Sequence, residues 1–212
     1  MYKIVALVGE AGCGKDTLAN AIAQSNNNFK SIISCTTRPP REGEVDGKNY
    51  YFMSEPEFND KILNEEMLEY TEFNDWYYGT SADSLDENKI NVGVFNPEGI
   101  RNLLKNDNVD VIIFRLAVSA KTRLLRQLNR EMKPDVDEIV RRYFTDSIDF
   151  CDLGFDYIEL KNECLPDKEK ALKIVKQTLS PWLPQGQKWL IDSEQTTYIV
   201  YHHYDTLYLV WR

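Results

Sequence analysis

Three features of the chain predict an α/β fold built on a parallel sheet. Short apolar runs, unbroken by polar alternation, recur between segments of helical periodicity, as expected of strands covered on both faces by crossover helices. A glycine-rich segment, GEAGCGK at 9–15, separates the first apolar run from the first helical segment. Composition is ordinary for a packed globule: 42% hydrophobic and 28% charged, with 10 Gly and 8 Pro among 212 residues, which excludes collagenous, low-complexity and wholly disordered classes.

The elements follow in order. Lys3 to Val8 is apolar, rich in β-branched residues and stops at Gly9, so it reads as a buried strand. In DTLANAIAQ, Leu18, Ala21, Ile22 and Ala23 recur at helical spacing before the turn-forming SNNN. From Lys30 to Asn91 the chain changes to short apolar pieces, tyrosines and acids, with a helix expected from Pro56 to Glu66; this reads as an inserted smaller lobe. INVGVFN is a second strand, PEGIRNLLKN a helix with Pro near its start, and VDVIIFRLAV a third, very apolar strand. Ser119 to Phe150 is helical in pattern and concentrates Lys121, Arg123, Arg126, Arg130, Lys133, Arg141 and Arg142. FDYIEL is a fourth strand and PDKEKALKIVKQTL a closing amphipathic helix. Beyond Ser180, PWLPQGQ reads as a linker and KWLIDS, TTYIVYHH and TLYLVWR as short aromatic strands.

Length, at roughly 150 residues per domain, allows one generous domain or one with an appendage. No apolar stretch is long enough to span a bilayer, and the amino terminus has the wrong flanks for a secretory signal, so a cytoplasmic protein is expected. The net charge of -9 argues against nucleic acid and anionic membranes as partners, and requires any anionic ligand to meet a local basic pocket. Cys13, Cys35, Cys151 and Cys164 form no CxxC pair, which suits a reducing compartment.

Gly9 to Lys15 spells Gly, four residues, Gly, Lys, after a strand and at the opening of a helix. This is the phosphate-loop pattern, in which glycines turn successive backbone N–H groups toward phosphate oxygens, the helix N-terminus adds partial positive charge, and the lysine reaches the β- and γ-phosphates. A nucleoside polyphosphate is the expected ligand, on Gly9, Ala11, Gly12, Cys13, Gly14, Lys15, Asp16 and Thr17. Asp16 stands where a Ser or Thr hydroxyl usually meets Mg²⁺. It either holds the ion or serves as an acid in the first helical turn. Cys13, beside Lys15 and a helix N-terminus, is either a thiol of lowered pKa that ATP would protect or a small filler with no special reactivity.

SCTTRPPREGEVDGKNYYF followed by EEMLEYTEFNDWYYGTS resembles guanylate kinases, and with the loop and the basic stretch the likeness covers about residues 1–180. The resemblance implies a phosphate-loop NTPase core of three layers, a lobe for the monophosphate at about 34–91, and a helical lid at about 120–147. It implies transfer of the γ-phosphoryl of ATP to GMP or dGMP with Mg²⁺. Arg38, Arg41, Tyr50 and Tyr78 then grip the GMP phosphate, and two guanidinium groups on a proline-stiffened segment suit a dianion. Glu69 stands where the family places the carboxylate for guanine N1–H and N2–H, and Ser34 and Thr80 where hydroxyls donate to O6. In the lid, Arg130 and Arg142 are the expected phosphate clamps alongside Lys15, with Arg126 and Arg141 as competitors.

The chain departs from the family where Asp-x-Asp is usual, reading Val94, Phe95, Asn96. That departure leaves two other readings: a broader deoxynucleoside monophosphate kinase, or a guanylate-kinase-like binding module without catalysis. Residues 181–212 lie beyond the resemblance, and their aromatics, Trp182, Trp189, Tyr198, Tyr201, Tyr204, Tyr208 and Trp211, predict a β extension packed on the core or on a second copy of the chain. His202 and His203 have no further ligands at zinc spacing and read as turn residues.

Overall fold

The computed structural model describes residues 1–41, 43–73, 75–130, 132–183 and 200–201. In chain order they form β1 (Tyr2–Val8), α1 (Lys15–Ala23), β2 (Phe29–Ser31), β3 (Cys35–Thr36), β4 (Tyr51–Phe52), α2 (Glu55–Leu63), β5 (Met67–Phe73), β6 (Trp76–Ser81), β7 (Ile90–Val94), α3 (Pro97–Leu103), β8 (Val109–Ala117), α4 (Ala120–Leu128), α5 (Val136–Asp149), β9 (Tyr157–Lys161), α6 (Leu165–Leu179) and β10 (Val200–Tyr201). Two compact units result, Met1–Ala6 with Ala23–Ile112, and Leu7–Ile22 with the chain from Ile113 onward.

In the first unit, strands follow the order β8-β1-β7-β2, and β2 runs parallel to β7 with Phe29 beside Ile90 and Ser31 beside Val92. Ile4, Val5, Phe29, Ile90, Val92, Ile100 and Leu103 are its buried apolar residues here. The same unit carries a separate four-stranded sheet, ordered β4-β3-β6-β5, in which β5 and β6 form an antiparallel hairpin pairing Glu69 with Thr80. That hairpin buries polar residues: Glu69, Thr71, Thr80 and Ser81 are buried while Tyr70 and Glu72 are exposed. The expected helix within the lobe is α2, started by a Ser54–Glu57 capping box and Pro56 in its first turn.

In the second unit, the order is β10-β9-β8-β1, with β8 and β9 parallel and Phe114 beside Ile158. Leu7, Val8, Leu18, Ile22, Phe114, Leu116, Leu160, Val175 and Leu179 are buried. The basic stretch, expected as helix from Ser119 to Phe150, is two helices. Ser119 caps α4 through the Thr122 amide and Asp135 caps α5 through the Glu138 amide, with Pro134 between them. Val200 and Tyr201 pair antiparallel with Ile158 and Tyr157. Trp182 ends a short helical turn after α6. Trp189, Tyr198, Tyr204, Tyr208, Trp211, His202 and His203 lie outside the described residues. Among the described residues no helix is long and apolar enough to cross a membrane.

Candidate active site

The phosphate loop lies in the second unit between β1 and α1. Gly12 has φ +79°, and a Cβ there would fall 2.6 Å from the Arg123 carbonyl oxygen, so glycine is required both for backbone conformation and for space. Lys15 Nζ donates to the Gly9 and Glu10 carbonyls and lies 3.8 Å from Cys13 Sγ. The loop is pinned from outside by side chains distant in sequence. Asn162 Nδ2 donates to the Cys13 carbonyl at 2.7 Å, and Arg126 Nη1 lies 3.4 Å from the Gly12 and Cys13 carbonyls while Nη2 binds the Asn162 and Glu163 carbonyls at 2.7 and 3.0 Å. The Ala11 amide donates to Asp146 Oδ2 at 2.7 Å.

Cys13 corrects an expectation. Its side chain is fully buried, and burial pushes the thiol pKa up against the opposing pull of Lys15. Desolvation of the thiolate outweighs the lowering by the lysine. Asp16 and Thr17 are exposed in the first turn of α1.

Of the expected lid arginines, Arg130 is exposed just past the end of α4, and Arg142 gives its Nε to Glu138 Oε1 at 2.7 Å. Arg141 grips the same carboxylate at 2.6 and 2.9 Å. The Arg141 hydrogen bond, with Arg142 adding to it against some desolvation, holds Glu138 at a pKa of about 2. Among the described residues, the arginine hydrogen-bonded to the loop is Arg126.

The second group of expected residues lies in the first unit, on the four-stranded sheet and the chain between β3 and β4. Arg38 is buried, its amide held by Thr36 Oγ1 at 3.2 Å, and Thr36 and Thr37 are tied to Tyr77. Its guanidinium lies 5.5 Å from the Tyr50 ring centre and 5.7 Å from that of Phe52. The fork is taken by Glu44: Nη2 meets both carboxylate oxygens at 2.9 Å, and Oε2 also accepts from the Arg41 amide at 2.7 Å. Burial opposes the Glu44 charge, but these donors outweigh it and hold the carboxyl below its ordinary pKa. The Arg41 side chain is exposed, and Tyr50 and Tyr78 meet edge to face at 6.1 Å. Ser34 is half-buried, its carbonyl accepting from the Tyr51 amide.

Glu69 is 7% exposed and accepts at Oε1 from the Thr80 hydroxyl at 2.7 Å. Burial pushes its pKa up to about 7 despite that bond. The hydroxyl expected for guanine O6 therefore gives its single proton to Glu69 here, because a desolvated carboxylate draws the nearest donor. Gly99 keeps this corner open: a Cβ there would lie 3.1 Å from Glu69 Oε2.

A guanylate kinase family model matches residues 1–181. The chain belongs to the guanylate kinase family. It is 37% identical to a guanylate kinase of Clostridium tetani over 131 residues, 58% of this chain and 62% of that one, so it spans just under two thirds of that relative. It is 36% identical to a guanylate kinase of Rickettsia felis over 143 residues, 65% of this chain and 73% of that one. Its fold matches the crystal structure of guanylate kinase from Anaplasma phagocytophilum with a TM-score of 0.61, at 21% identity over 89% of this chain and 90% of that chain.

Within this guanylate kinase family member, Asn96 is absorbed structurally. Its Oδ1 caps α3 through the Gly99 amide at 2.7 Å and its Nδ2 donates to Thr71 Oγ1 at 3.1 Å. No group of three or more His, Cys, Asp or Glu suited to a metal ion occurs among the described residues. Sequence reasoning missed Glu44, Asp146 and Asn162. Glu44 had a usable signal, an acid three residues after Arg41 in a segment read as anion-binding. Asp146 and Asn162 had none, since each acts more than 130 positions away, at separations of 135 and 149 residues.

Proposed function

We propose that the chain transfers the γ-phosphoryl of ATP to GMP or dGMP. One observation carries the acceptor: a buried carboxylate, Glu69, lies beside the Thr80 hydroxyl on the sheet that also presents Arg38, Tyr50 and Tyr78. Ionised Glu69 accepts from guanine N1–H and N2–H, and adenine, with donor and acceptor exchanged, leaves it unpaired in a dry pocket. When GMP is present the Thr80 proton turns to O6, joined by Ser34. The monophosphate dianion takes the Arg38 fork in place of Glu44, with Arg41, Tyr50 and Tyr78 adding donors.

ATP lies on residues Gly9 to Thr17, and Lys15 neutralises charge on the transferring group. Arg130 and Arg142 join it when the lid closes. The donor set suits Mg²⁺ brought in on the nucleotide phosphates, since this ion needs only one or two protein oxygens and keeps several waters. The exposed Asp16 carboxylate would supply one of them. Residues 1–180 form the catalytic domain, and 181–212 an extension that affects stability or assembly more than phosphoryl transfer.

The deciding experiment is a coupled ADP-release assay with MgATP across GMP, dGMP, AMP, dTMP and CMP. Turnover confined to the two guanine nucleotides is expected. Comparable rates with AMP or a pyrimidine acceptor would favour the broader kinase, and no ADP release in a folded protein would leave a binding module.

A further inference from the structure

Beside the phosphate loop, within the second unit, lies a buried charge cluster that the proposed reaction does not use. Glu10 Oε1 is 3.8 Å from Arg115 Nη2 and 4.0 Å from Arg123 Nη2, and Arg123 Nη1 is 3.6 Å from Asp146 Oδ2. Arg115 also meets Glu159 and the Tyr157 hydroxyl, both at 3.3 Å. The guanidinium groups lie over rings, Arg115 over Tyr157 at 5.5 Å and Arg123 over Tyr143 at 5.6 Å. Hydrogen bonding here is incomplete: Glu10 Oε2, Arg115 Nε, and Arg123 Nε and Nη1 are buried without a hydrogen-bond partner. Buried polar groups are normally paired, so a half-satisfied network at a binding loop indicates contacts still to be made.

Asp146 connects this cluster to the loop. Its Oδ2 sits on the Ala11 amide at 2.7 Å, one carboxylate inside a structure whose amides and lysine are built to receive a polyphosphate. Burial raises its pKa, outweighing the Ala11 hydrogen bond and the favourable charges of Lys15 and Arg123, and Glu10 also opposes its charge.

We propose that Asp146 is a positioning residue whose charge sets how tightly the phosphate loop takes polyphosphate. Seated on the Ala11 amide, the carboxylate holds the loop in shape and opposes an incoming anion of the same sign. When the anion arrives, the carboxylate moves the short distance to the unpartnered Nη1 of Arg123 and completes that ion pair. The inference rests on the phosphate-loop half of the functional reading and not on the acceptor.

Asp146→Asn separates charge from shape, because the amide oxygen still accepts from Ala11 while the charge is gone. Calorimetry without metal, using ATP and inorganic tripolyphosphate with neutral adenosine as control, reads the effect. At about pH 8 the variant should bind both anions about three- to tenfold more tightly than the wild type, with adenosine unchanged. The gap should close as pH falls and wild-type Asp146 takes up a proton, at a higher pH than an ordinary aspartate would. Asp146→Ala, lacking acceptor and charge, should lose part of the gain because the Ala11 amide is unheld. Equal tripolyphosphate affinity in wild type and Asp146→Asn at about pH 8 would overturn the proposal. So would weaker binding with a lowered melting temperature in both variants, which marks a structural role only. Binding of tripolyphosphate but not ATP by the wild type would count against the kinase reading while still testing this one.

Discussion

On the proposed reading the phosphate loop and the monophosphate lobe both receive anions, and they are built for it by opposite means. The loop works with backbone: Gly12 at φ +79° opens its turn, Arg126 and Asn162 donate to loop carbonyls, and the Ala11 amide is held by Asp146. The lobe works with side chains, and its Arg38 fork is already filled by Glu44. A site made of backbone is rigid and needs its glycines. A site made of side chains exchanges one anion for another, so its affinity is a difference between two similar interactions.

The sharpest way to separate the regions is Lys15→Ala. Charge stabilisation on the transferring group is then lost, and turnover should fall by at least about 10²- to 10³-fold. GMP binding by calorimetry should remain, because Glu69 and Arg38 are untouched. A matched loss of GMP affinity would show that the lobe depends on the loop.

Glu69→Gln should act on the lobe alone, raising the KM for GMP by about 5- to 100-fold by removing the acceptor for two guanine donors. The sign of its stability effect is opposite. Folded Glu69 titrates near pH 7, above its unfolded value, so it is bound to a proton more tightly in the fold. Its presence therefore costs stability progressively from the ordinary glutamate range up to about 7 and fully above that. Glu69→Gln should stabilise the free protein at about pH 8 by on the order of 1–3 kcal/mol, read as a higher melting temperature, and change little near pH 4. Wild-type GMP affinity should weaken below about pH 7, as Glu69 becomes protonated, beyond what the phosphate group itself contributes. A variant less stable than wild type at about pH 8 would contradict the assignment.

The two regions also differed in how far residues announced their structure. β1, the loop and α1 were legible because an apolar β-branched run, a glycine spacing and a helical period follow one another within the first 23 residues. The β5–β6 hairpin was not legible as strands. In β5 the buried positions are Glu69 and Thr71 and the exposed ones Tyr70 and Glu72, so polarity alternates with the reverse sign, and in β6 the buried Gly79, Thr80 and Ser81 do not alternate at all. Family likeness supplied Glu69 and Arg38, whereas the carboxylates that meet Arg38 and the Ala11 amide, Glu44 and Asp146, are known only from contacts. β2 was missed because three residues, Phe29 to Ser31, carry too little pattern.

Glu44→Gln should produce a smaller change in the lobe. Removing the charge that fills the Arg38 fork should tighten GMP about two- to fivefold, the size of a modest ion-pair difference in a partly exposed setting. Weaker GMP binding would mean that Glu44 instead orients Arg38 for the phosphate. On the loop, Asp16→Asn should raise the Mg²⁺ concentration for half-maximal rate by about two- to fivefold, since most of the ion's oxygens come from nucleotide and water. An unchanged Mg²⁺ titration would return Asp16 to its place as an acid in the first turn of α1.

The smallest effect separates the loop from its own sequence motif. A cysteine flanked by glycines and a lysine suggests a reactive thiolate, yet Cys13 is buried and its pKa is raised. Cys151 and Cys164 are exposed. Thiolate fraction and access both govern alkylation, so iodoacetamide at about pH 8 should label Cys151 and Cys164 well before Cys13. ATP should then have little left to protect. Mass spectrometry after brief labelling, with and without ATP, decides between motif and packing. Labelling of Cys13 at least as fast as of Cys151, and suppressed by ATP, would show that the loop opens far enough in solution to expose the sulfur, and that its glycines allow more movement than the contacts from Arg126 and Asn162 imply.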